Sequence, residues 1–167
     1  MHKKLFIPGP TEVRKSNLEA MATPMIGHRF PEFADLFKET VEKLQKLLYT
    51  NNIIFISTSS STGLMEAAMR NCVSKKVLSC INGAFSQRWA DIAEANGKVV
   101  DRIEIEWGKA VKPEMIDGKL RTGEYDAISM VLNETSTGVL SNIEAVSYTH
   151  LRAHETPEHL VCRLLLE

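Results

Sequence analysis

The clearest periodic pattern in the chain lies between residues 32 and 49. Apolar side chains recur there at steps of three and four residues, the spacing of one face of an α-helix. The opposite face is charged, and Glu39 and Lys43 have the i,i+4 spacing that favours an ion pair. The pattern predicts an amphipathic helix from Glu32 to Tyr49 with one buried face. Its apolar positions are Phe33, Leu36, Phe37, Val41, Leu44, Leu47 and Leu48.

Further along the chain, short apolar runs alternate with helix-forming segments. The segments predict helices at Thr62–Cys72, at Phe85–Ala95 and from Lys112 onward, and a shorter helix is expected at Arg14–Met21. The apolar runs predict four strands. This alternation predicts an α/β fold with three layers, in which a mostly parallel sheet carries helices on both faces. The predicted strands are Ile53–Ile56, Lys76–Ile81, Val99–Ile105 and Asp126–Leu132.

Two hydroxyl-rich turns follow predicted strands. The first turn, Ser57–Thr62, leads into a predicted helix, and the second, Thr135–Thr137, follows Leu132. The N-terminus of a helix has N–H groups without intrahelical acceptors and a positive dipole end, so the first turn is a candidate anion site. The alternative is that its hydroxyl groups only cap the helix. Because α/β sheets bind ligands at the carboxyl ends of strands, the two turns together favour a phosphate-binding site.

The composition narrows the class of protein. The chain has 167 residues, a formal net charge of −1 and 44% hydrophobic residues, which suits one domain or part of a larger one. It has no basic stripe for nucleic acid and no apolar run of the roughly 20 residues that cross a bilayer. The three cysteines, Cys72, Cys80 and Cys162, favour reduced thiols. A cytoplasmic protein that binds neither nucleic acid nor membrane is expected.

Five short motifs occur in a distinctive order and spacing: Pro8-Gly9-Pro10-Thr11, Gly27-His28-Arg29, Ser60-Ser61-Thr62-Gly63-Leu64-Met65-Glu66-Ala67-Ala68, Asn82-Gly83-Ala84-Phe85-Ser86-Gln87-Arg88 and Asn133-Glu134-Thr135-Ser136-Thr137-Gly138-Val139. Together they resemble the class V pyridoxal-phosphate-dependent aminotransferases, and within that class the serine–pyruvate and alanine–glyoxylate branch. The resemblance implies the N-terminal part of a fold-type I large domain, with pyridoxal 5′-phosphate as cofactor. It also implies transfer of an amino group from a small amino acid (alanine or serine) to a 2-oxo acid (glyoxylate or pyruvate). The full-length parent is expected to be a homodimer.

The resemblance assigns roles to individual residues. The turn that would bind the cofactor phosphate comprises Ser60, Ser61, Thr62 and Gly63, and the family usually has glycine at the position of Ser61. Phe85 would stack on the pyridine ring, whereas the residues alone favour a core phenylalanine. Thr135 would hydrogen-bond the phenolic oxygen of the cofactor, and Leu132 stands where the family often has histidine. Gly9 would lie near the substrate.

The catalytic residues of the family follow the last shared motif. They are the Schiff-base lysine and the aspartate at the pyridine nitrogen, with a substrate-binding arginine beyond. Only 29 residues follow Gly138, and all twelve lysines precede Asn133. The chain is therefore expected to have no catalytic residue and no activity as written.

The residues from about Val146 onward differ in character from the rest. They contain three of the five histidines, and His150, His154, His159 and Cys162 allow an alternative interpretation as a metal site. Pro157 interrupts any helix that would join these residues. The segment resembles read-through into library adaptor sequence. Residues 1–145 are therefore expected to be the native large-domain part, residues 146–167 a non-native tail, and the metal site is not expected.

Two other functions remain open at this point. The first is a small nucleotide- or phosphate-binding α/β module, which needs only the turn at Ser57–Thr62 but lacks the glycine-rich fingerprints of such modules. The second is another class V member, of the cysteine desulfurase or phosphoserine aminotransferase type. A further possibility is a translation product that does not fold stably alone.

Overall fold

The computed structural model describes residues 3–7 and 9–150, with the last four as backbone only. The chain divides after Phe55 into two compact units. Within the described residues, no helix combines the length and the apolar character needed to span a bilayer. Residues 151–167, which include His154, His159 and Cys162 of the alternative metal site, lie outside the described residues.

The N-terminal unit contains two helices, α1 (Lys15–Met21) and α2 (Pro31–Leu47). Both predicted helices are confirmed. Pro31 occupies the first turn of α2, where its missing N–H costs nothing, and Lys43 and Glu39 form the predicted ion pair at 2.5 Å. The predicted buried face of α2 is wrong, because neither helix has a buried residue. No strand or third helix of the described part of this unit covers that face.

The apolar run at residues 53–56 does not form the predicted strand. These residues have no regular secondary structure, and the side chains of Ile53 and Phe55 are 77% and 79% exposed. A strand requires a neighbouring strand to accept and donate its backbone hydrogen bonds. The described residues supply no such neighbour to this run, so hydrophobicity alone misled the prediction.

The second unit is built on a three-stranded parallel sheet in the order β2-β1-β3. Its strands are β1 (Lys76–Ile81), β2 (Val99–Glu104) and β3 (Ala127–Ser129). These strands were predicted, although β3 is shorter than expected. Residues 130–132 leave the ladder, and the chain then forms a small antiparallel hairpin of β4 (Asn133–Glu134) and β5 (Val139–Leu140) that was not predicted.

Four helices cover the two faces of this sheet: α3 (Ser61–Cys72), α4 (Ala84–Ala95), α5 (Pro113–Leu120) and α6 (Ile143–His150). Successive side chains of a strand point to opposite faces, so β1 contributes to two separate cores. The α3/α4 face packs Met69, Val73, Trp89 and Ala93 against Val77. The α5/α6 face packs Ile116 and Val146 against Leu78 and Cys80. The predicted three-layer α/β architecture is therefore confirmed.

Cys80 lies in the core of the α5/α6 face and is 1% exposed. Burial raises the pKa of its thiol to about 12. The thiol therefore stays protonated at neutral pH and contributes to packing rather than to chemistry.

Candidate functional site

The hydroxyl-rich turn leads directly into α3, as the sequence predicts. Ser60 is the N-cap residue, with an extended backbone at φ −68° and ψ 163°, yet its hydroxyl makes no capping hydrogen bond. Ser57 and Ser59 bond to each other and to the backbone of the turn. The Ser57 hydroxyl donates to the Ser59 Oγ at 2.8 Å, and the Ser59 hydroxyl lies 3.1 Å from the carbonyl oxygen of Ser60. Simple side-chain capping is thus not the role of this turn.

The first N–H groups of α3 remain open. The Gly63 N–H donates to the Ser60 carbonyl at 3.0 Å. Within the described residues, the N–H groups of Ser61 and Thr62 donate no hydrogen bond. Ser61 is in helical conformation, which any L-residue adopts, so the serine at the usual glycine position is accommodated without strain. This helix end can accept an anion on free donors and a positive dipole.

Gly63 lies close against the side chain of Ser59. A Cβ atom at this position would lie 2.9 Å from the Ser59 Oγ and 3.1 Å from the Ser59 Cβ. The missing side chain lets the turn fold back over the first turn of α3. Thr62 and Gly63 are consequently half-buried, while Ser61 is exposed.

The first N–H groups of α4, in contrast to those of α3, have acceptors within the chain. Three consecutive N–H groups there donate to the side chains of Glu134, in β4, and Ser136, in the turn that follows β4. The Ala84 N–H donates to the Ser136 Oγ at 2.9 Å, the Phe85 N–H to Glu134 Oε1 at 3.3 Å, and the Ser86 N–H to Glu134 Oε2 at 2.8 Å. Of these two helix N-termini, α4 carries an internal anion and α3 is open to an external one.

The Glu134 carboxylate is fully buried. Burial alone would raise its pKa, but the hydroxyl of Ser136 at 2.6 Å and the donors of Ser86 and Phe85 outweigh that effect. The pKa of Glu134 is therefore held below its ordinary value, and the group is ionised at neutral pH. These hydrogen bonds to the buried carboxylate hold Phe85, Ser86 and Ser136 in place around it.

Gly83 makes room for that carboxylate. A Cβ atom on Gly83 would come within 2.4 Å of the Glu134 Cγ and 2.6 Å of the Ser136 Oγ. Neither contact is possible, so only glycine fits between the end of β1 and the hairpin. Asn82 supports the same junction, because its buried side chain donates to the carbonyl oxygen of Lys109 at 3.1 Å.

Phe85 is half-buried at the first turn of α4. Its ring packs at the edge of the α3/α4 core, which Met65 of α3 also contacts. The guanidinium of Arg88 lies 5.3 Å from the ring centroid, within the range of a cation–π interaction. The ring is thus both a core contact and partly open, so it combines features of the two interpretations that the sequence allowed.

The predicted site residues are brought together only in part. Glu134 connects Phe85 to Thr135, because it directly precedes Thr135 and its side chain accepts the N–H of Phe85. Thr135 itself is exposed. The Ser60–Gly63 turn belongs to the same unit and is carried by α3, which packs on α4. No hydrogen bond of the described residues joins that turn to Phe85 or Thr135. Gly9 is exposed in the N-terminal unit and is described within that unit alone.

Two important residues of the site received no role from the sequence, Gly83 and Glu134. Both lie inside motifs that the sequence analysis had singled out. Neither position carries a clear local signal, because glycine is common in the turn that follows a strand and an acidic residue is usually exposed. The pairing itself joins residues about 50 positions apart and leaves no local pattern.

Comparison with known proteins gives the following matches. No family model matches the sequence. The chain is 39% identical over 147 residues to an uncharacterised aminotransferase of Methanocaldococcus jannaschii, covering 86% of this chain and 38% of that protein. It is 40% identical over 148 residues to the serine–glyoxylate aminotransferase of Methylorubrum extorquens, covering 85% and 37%. It is also 36% identical over 155 residues to a protein of Anabaena cylindrica named as the 42 kDa subunit of a soluble hydrogenase, covering 90% and 40%.

A solved structure resembles the fold as well. The ureidoglycine–glyoxylate aminotransferase of Bacillus subtilis superposes with a TM-score of 0.78 at 32% identity, covering 86% of this chain and 38% of that one. The chain thus spans less than half the length of the relatives it matches. Apart from the Anabaena cylindrica protein, these relatives are named as aminotransferases, and the coverage is consistent with an N-terminal fragment of a class V aminotransferase.

Proposed function

We propose that residues 1–145 are the N-terminal part of the large domain of a pyridoxal-phosphate-dependent aminotransferase. The parent enzyme transfers the amino group of alanine or serine to glyoxylate or pyruvate. The observation that carries this proposal is the open N-terminus of α3, framed by a hydroxyl-rich turn, in a chain whose homologues are aminotransferases. Glyoxylate appears in the names of several relatives that differ in amino donor, which supports glyoxylate as the acceptor more strongly than any one donor.

The residues present suit the cofactor. Its phosphate would be held by the turn Ser60, Ser61, Thr62 and Gly63, where two N–H groups are open. Phe85 would stack on the pyridine ring with its partly open face, and Thr135 would donate to the phenolic oxygen. Gly9 would line the substrate side. When bound, the cofactor supplies the electron sink of transamination, and the chain contributes binding and orientation.

The remaining parts of the enzyme belong to the proposed parent. Its Schiff-base lysine and its aspartate at the pyridine nitrogen lie beyond residue 145, and residues 146–167 are a non-native tail. We further propose a cytoplasmic homodimer for the parent. The 167-residue chain is then a binding half-site without turnover.

Binding of the cofactor by the chain is tested with pyridoxine 5′-phosphate. This probe has no aldehyde, so it cannot react with the twelve lysines and reports the non-covalent site alone. Calorimetric titration is expected to show that the chain binds pyridoxine 5′-phosphate. Pyridoxine, which lacks the phosphate, is expected to bind more weakly by about tenfold or more, because the phosphate contacts the α3 N-terminus. Tighter binding of ATP or NAD than of the probe would favour the nucleotide-binding module and overturn the proposal.

The activity is tested on the parent gene. Sequencing beyond codon 145 is expected to give an open reading frame with the aspartate and the lysine. The complete protein is then expected to transaminate alanine or serine with glyoxylate, measured by formation of glycine. A complete parent without that lysine, or one inert toward every such pair, would contradict the proposed activity.

A further inference from the structure

We propose that Glu134 is a positioning residue that sets the place of Phe85 relative to Thr135. The inference rests on the proposed function, since it concerns the two residues expected to contact the ring of the cofactor. Glu134 itself touches neither the ring nor the phosphate. Its effect passes through backbone groups of α4 and through its own position next to Thr135.

The side chain of Glu134 holds the α4 side of the junction. Its two oxygens accept the N–H groups of Phe85 and Ser86 at 3.3 and 2.8 Å, and the Ser86 hydroxyl donates to it at 2.9 Å. These bonds fix the first turn of α4, and Phe85 is a residue of that turn. The carboxylate therefore sets the position of the Phe85 backbone, from which its ring projects.

The backbone of Glu134 holds the Thr135 side. Its carbonyl oxygen accepts the N–H groups of Thr137 and Gly138 at 3.1 and 2.8 Å, which closes the turn that contains Thr135. The Thr137 hydroxyl also reaches the carbonyl oxygen of Asn82 at 3.4 Å. One residue thus connects the hydroxyl-bearing turn to the aromatic helix end.

A carboxylate is required for this role. Every described partner of the two oxygens donates a hydrogen bond, and three of these partners are backbone N–H groups, which can only donate. In Glu134→Gln, the NH₂ group of the new side chain would face at least one backbone N–H group. Both groups are donors, so they could not form a hydrogen bond with each other. The first turn of α4 would shift or fray to avoid that contact.

The experiment uses the 167-residue chain and two readouts. Affinity for pyridoxine 5′-phosphate measures binding at the proposed cofactor site. Hydrogen exchange of the Phe85 amide measures the hydrogen bond from that amide to Glu134. Glu134→Gln is expected to weaken binding about tenfold and to speed exchange at Phe85. If that variant does not fold, Ser136→Ala takes its place, because it removes only the hydroxyl between Ala84 N–H and Glu134 Oε1. It is expected to give a smaller change in the same direction.

Two controls separate positioning from stability. Asp126→Asn makes the same chemical change at the opposite end of β1 and β3, where the Asp126 carboxylate accepts the N–H groups of Lys75 and Lys76 at 2.6 and 2.8 Å. Ile116→Ala removes buried volume from the other face of the sheet. Both are expected to keep the affinity of the unaltered chain within about twofold.

The outcomes are distinct. Wild-type affinity in Glu134→Gln, or an equal loss of affinity in Ile116→Ala, overturns the positioning role. If the unaltered chain does not bind the probe at all, the proposed cofactor site is wrong. The role of Glu134 is then decided by exchange alone, and unchanged exchange at Phe85 overturns it.

Discussion

At the scale of single residues, burial and hydrogen bonding decide more than residue type. Glu134 is an acidic residue that is fully buried and yet ionised, because several donors surround it. Thr135, its neighbour and the residue that the sequence singled out, is exposed. Sequence identifies the motif that holds both residues. It does not reveal which of two adjacent polar side chains turns inward, since that depends on a partner about 50 residues away.

The ionised Glu134 predicts a pH dependence of stability. Its pKa is lower in the folded chain than its ordinary value of 4.5, so the folded state favours the charged form. The stability it contributes is present above that value and is lost as the pH falls through the lowered folded pKa, because the unfolded chain then binds the proton more readily. The free energy of unfolding, from urea titrations at several pH values, is expected to fall below about pH 4.5.

The variant Glu134→Gln is the control for this pH dependence. It is expected to start from a lower stability at neutral pH and to lose less stability on acidification than the unaltered chain. The Asp126 carboxylate also has a lowered pKa, caused by the backbone N–H groups of Lys75 and Lys76, so some acid sensitivity remains. Identical slopes in the two proteins would show that Glu134 is not charged in the folded state.

At the scale of elements, the helices followed the sequence closely and the strands less so. Helical periodicity is a local property, and α2, α3 and α4 begin or end within two residues of the predicted positions. Strands depend on distant partners. The run at residues 53–56 has the composition of a strand, but no described strand pairs with it. The strands β4 and β5 have two residues each and are too short to show an alternating pattern.

The two helix N-termini lead to a prediction at this scale. Ser60→Asp places a negative charge and a capping carboxylate at the start of α3, where the Ser60 hydroxyl is unused. The free energy of unfolding is expected to rise by about 0.5 kcal/mol, because both the cap and the dipole favour that charge. Affinity for pyridoxine 5′-phosphate is expected to fall by about tenfold, since the carboxylate occupies the donors and repels the phosphate.

A variant that merely disturbs the fold would lower both the free energy of unfolding and the affinity, whereas Ser60→Asp is expected to raise the first and lower the second. Ser60→Asn, which can cap without charge, is the matched control and is expected to lose less affinity. Urea denaturation and calorimetric titration measure the two quantities. Unchanged affinity in Ser60→Asp would place the phosphate elsewhere than the α3 N-terminus.

At the scale of the whole molecule, the buried core belongs to the second unit. Among the described residues, every buried side chain lies at or after Met69, and neither helix of the N-terminal unit has one. The sequence predicted two helical faces and a sheet, and those elements exist. It did not indicate that no other element of the described N-terminal unit would bury the apolar face of α2, because amphipathic periodicity shows that a face is apolar and does not say what it packs against.

This distribution predicts where substitutions matter. Ile116 is fully buried in the core of the α5/α6 face, whereas its neighbour Met115 is 42% exposed. Ile116→Ala is expected to lower the free energy of unfolding by about 2–5 kcal/mol through lost burial and the cavity left behind. Met115→Ala, on the same helix, is expected to change it by about 0.5 kcal/mol or less. Equal losses in urea denaturation would mean that this core is not formed.

The central position of β1 also has a consequence for the order of folding. Paired residues of β1 and β2, such as Lys76 and Val99, are 99 − 76 = 23 positions apart, whereas Val77 and Ala127 of β1 and β3 are 127 − 77 = 50 apart. The longer loop costs about 0.7 kcal/mol more to close. We therefore expect β1, α4 and β2 to associate first, with β3 and the hairpin docking last. The helix α4 would therefore reach β1 before the hairpin does, and the N–H groups of Phe85 and Ser86 would gain the Glu134 carboxylate as acceptor only in the last docking step.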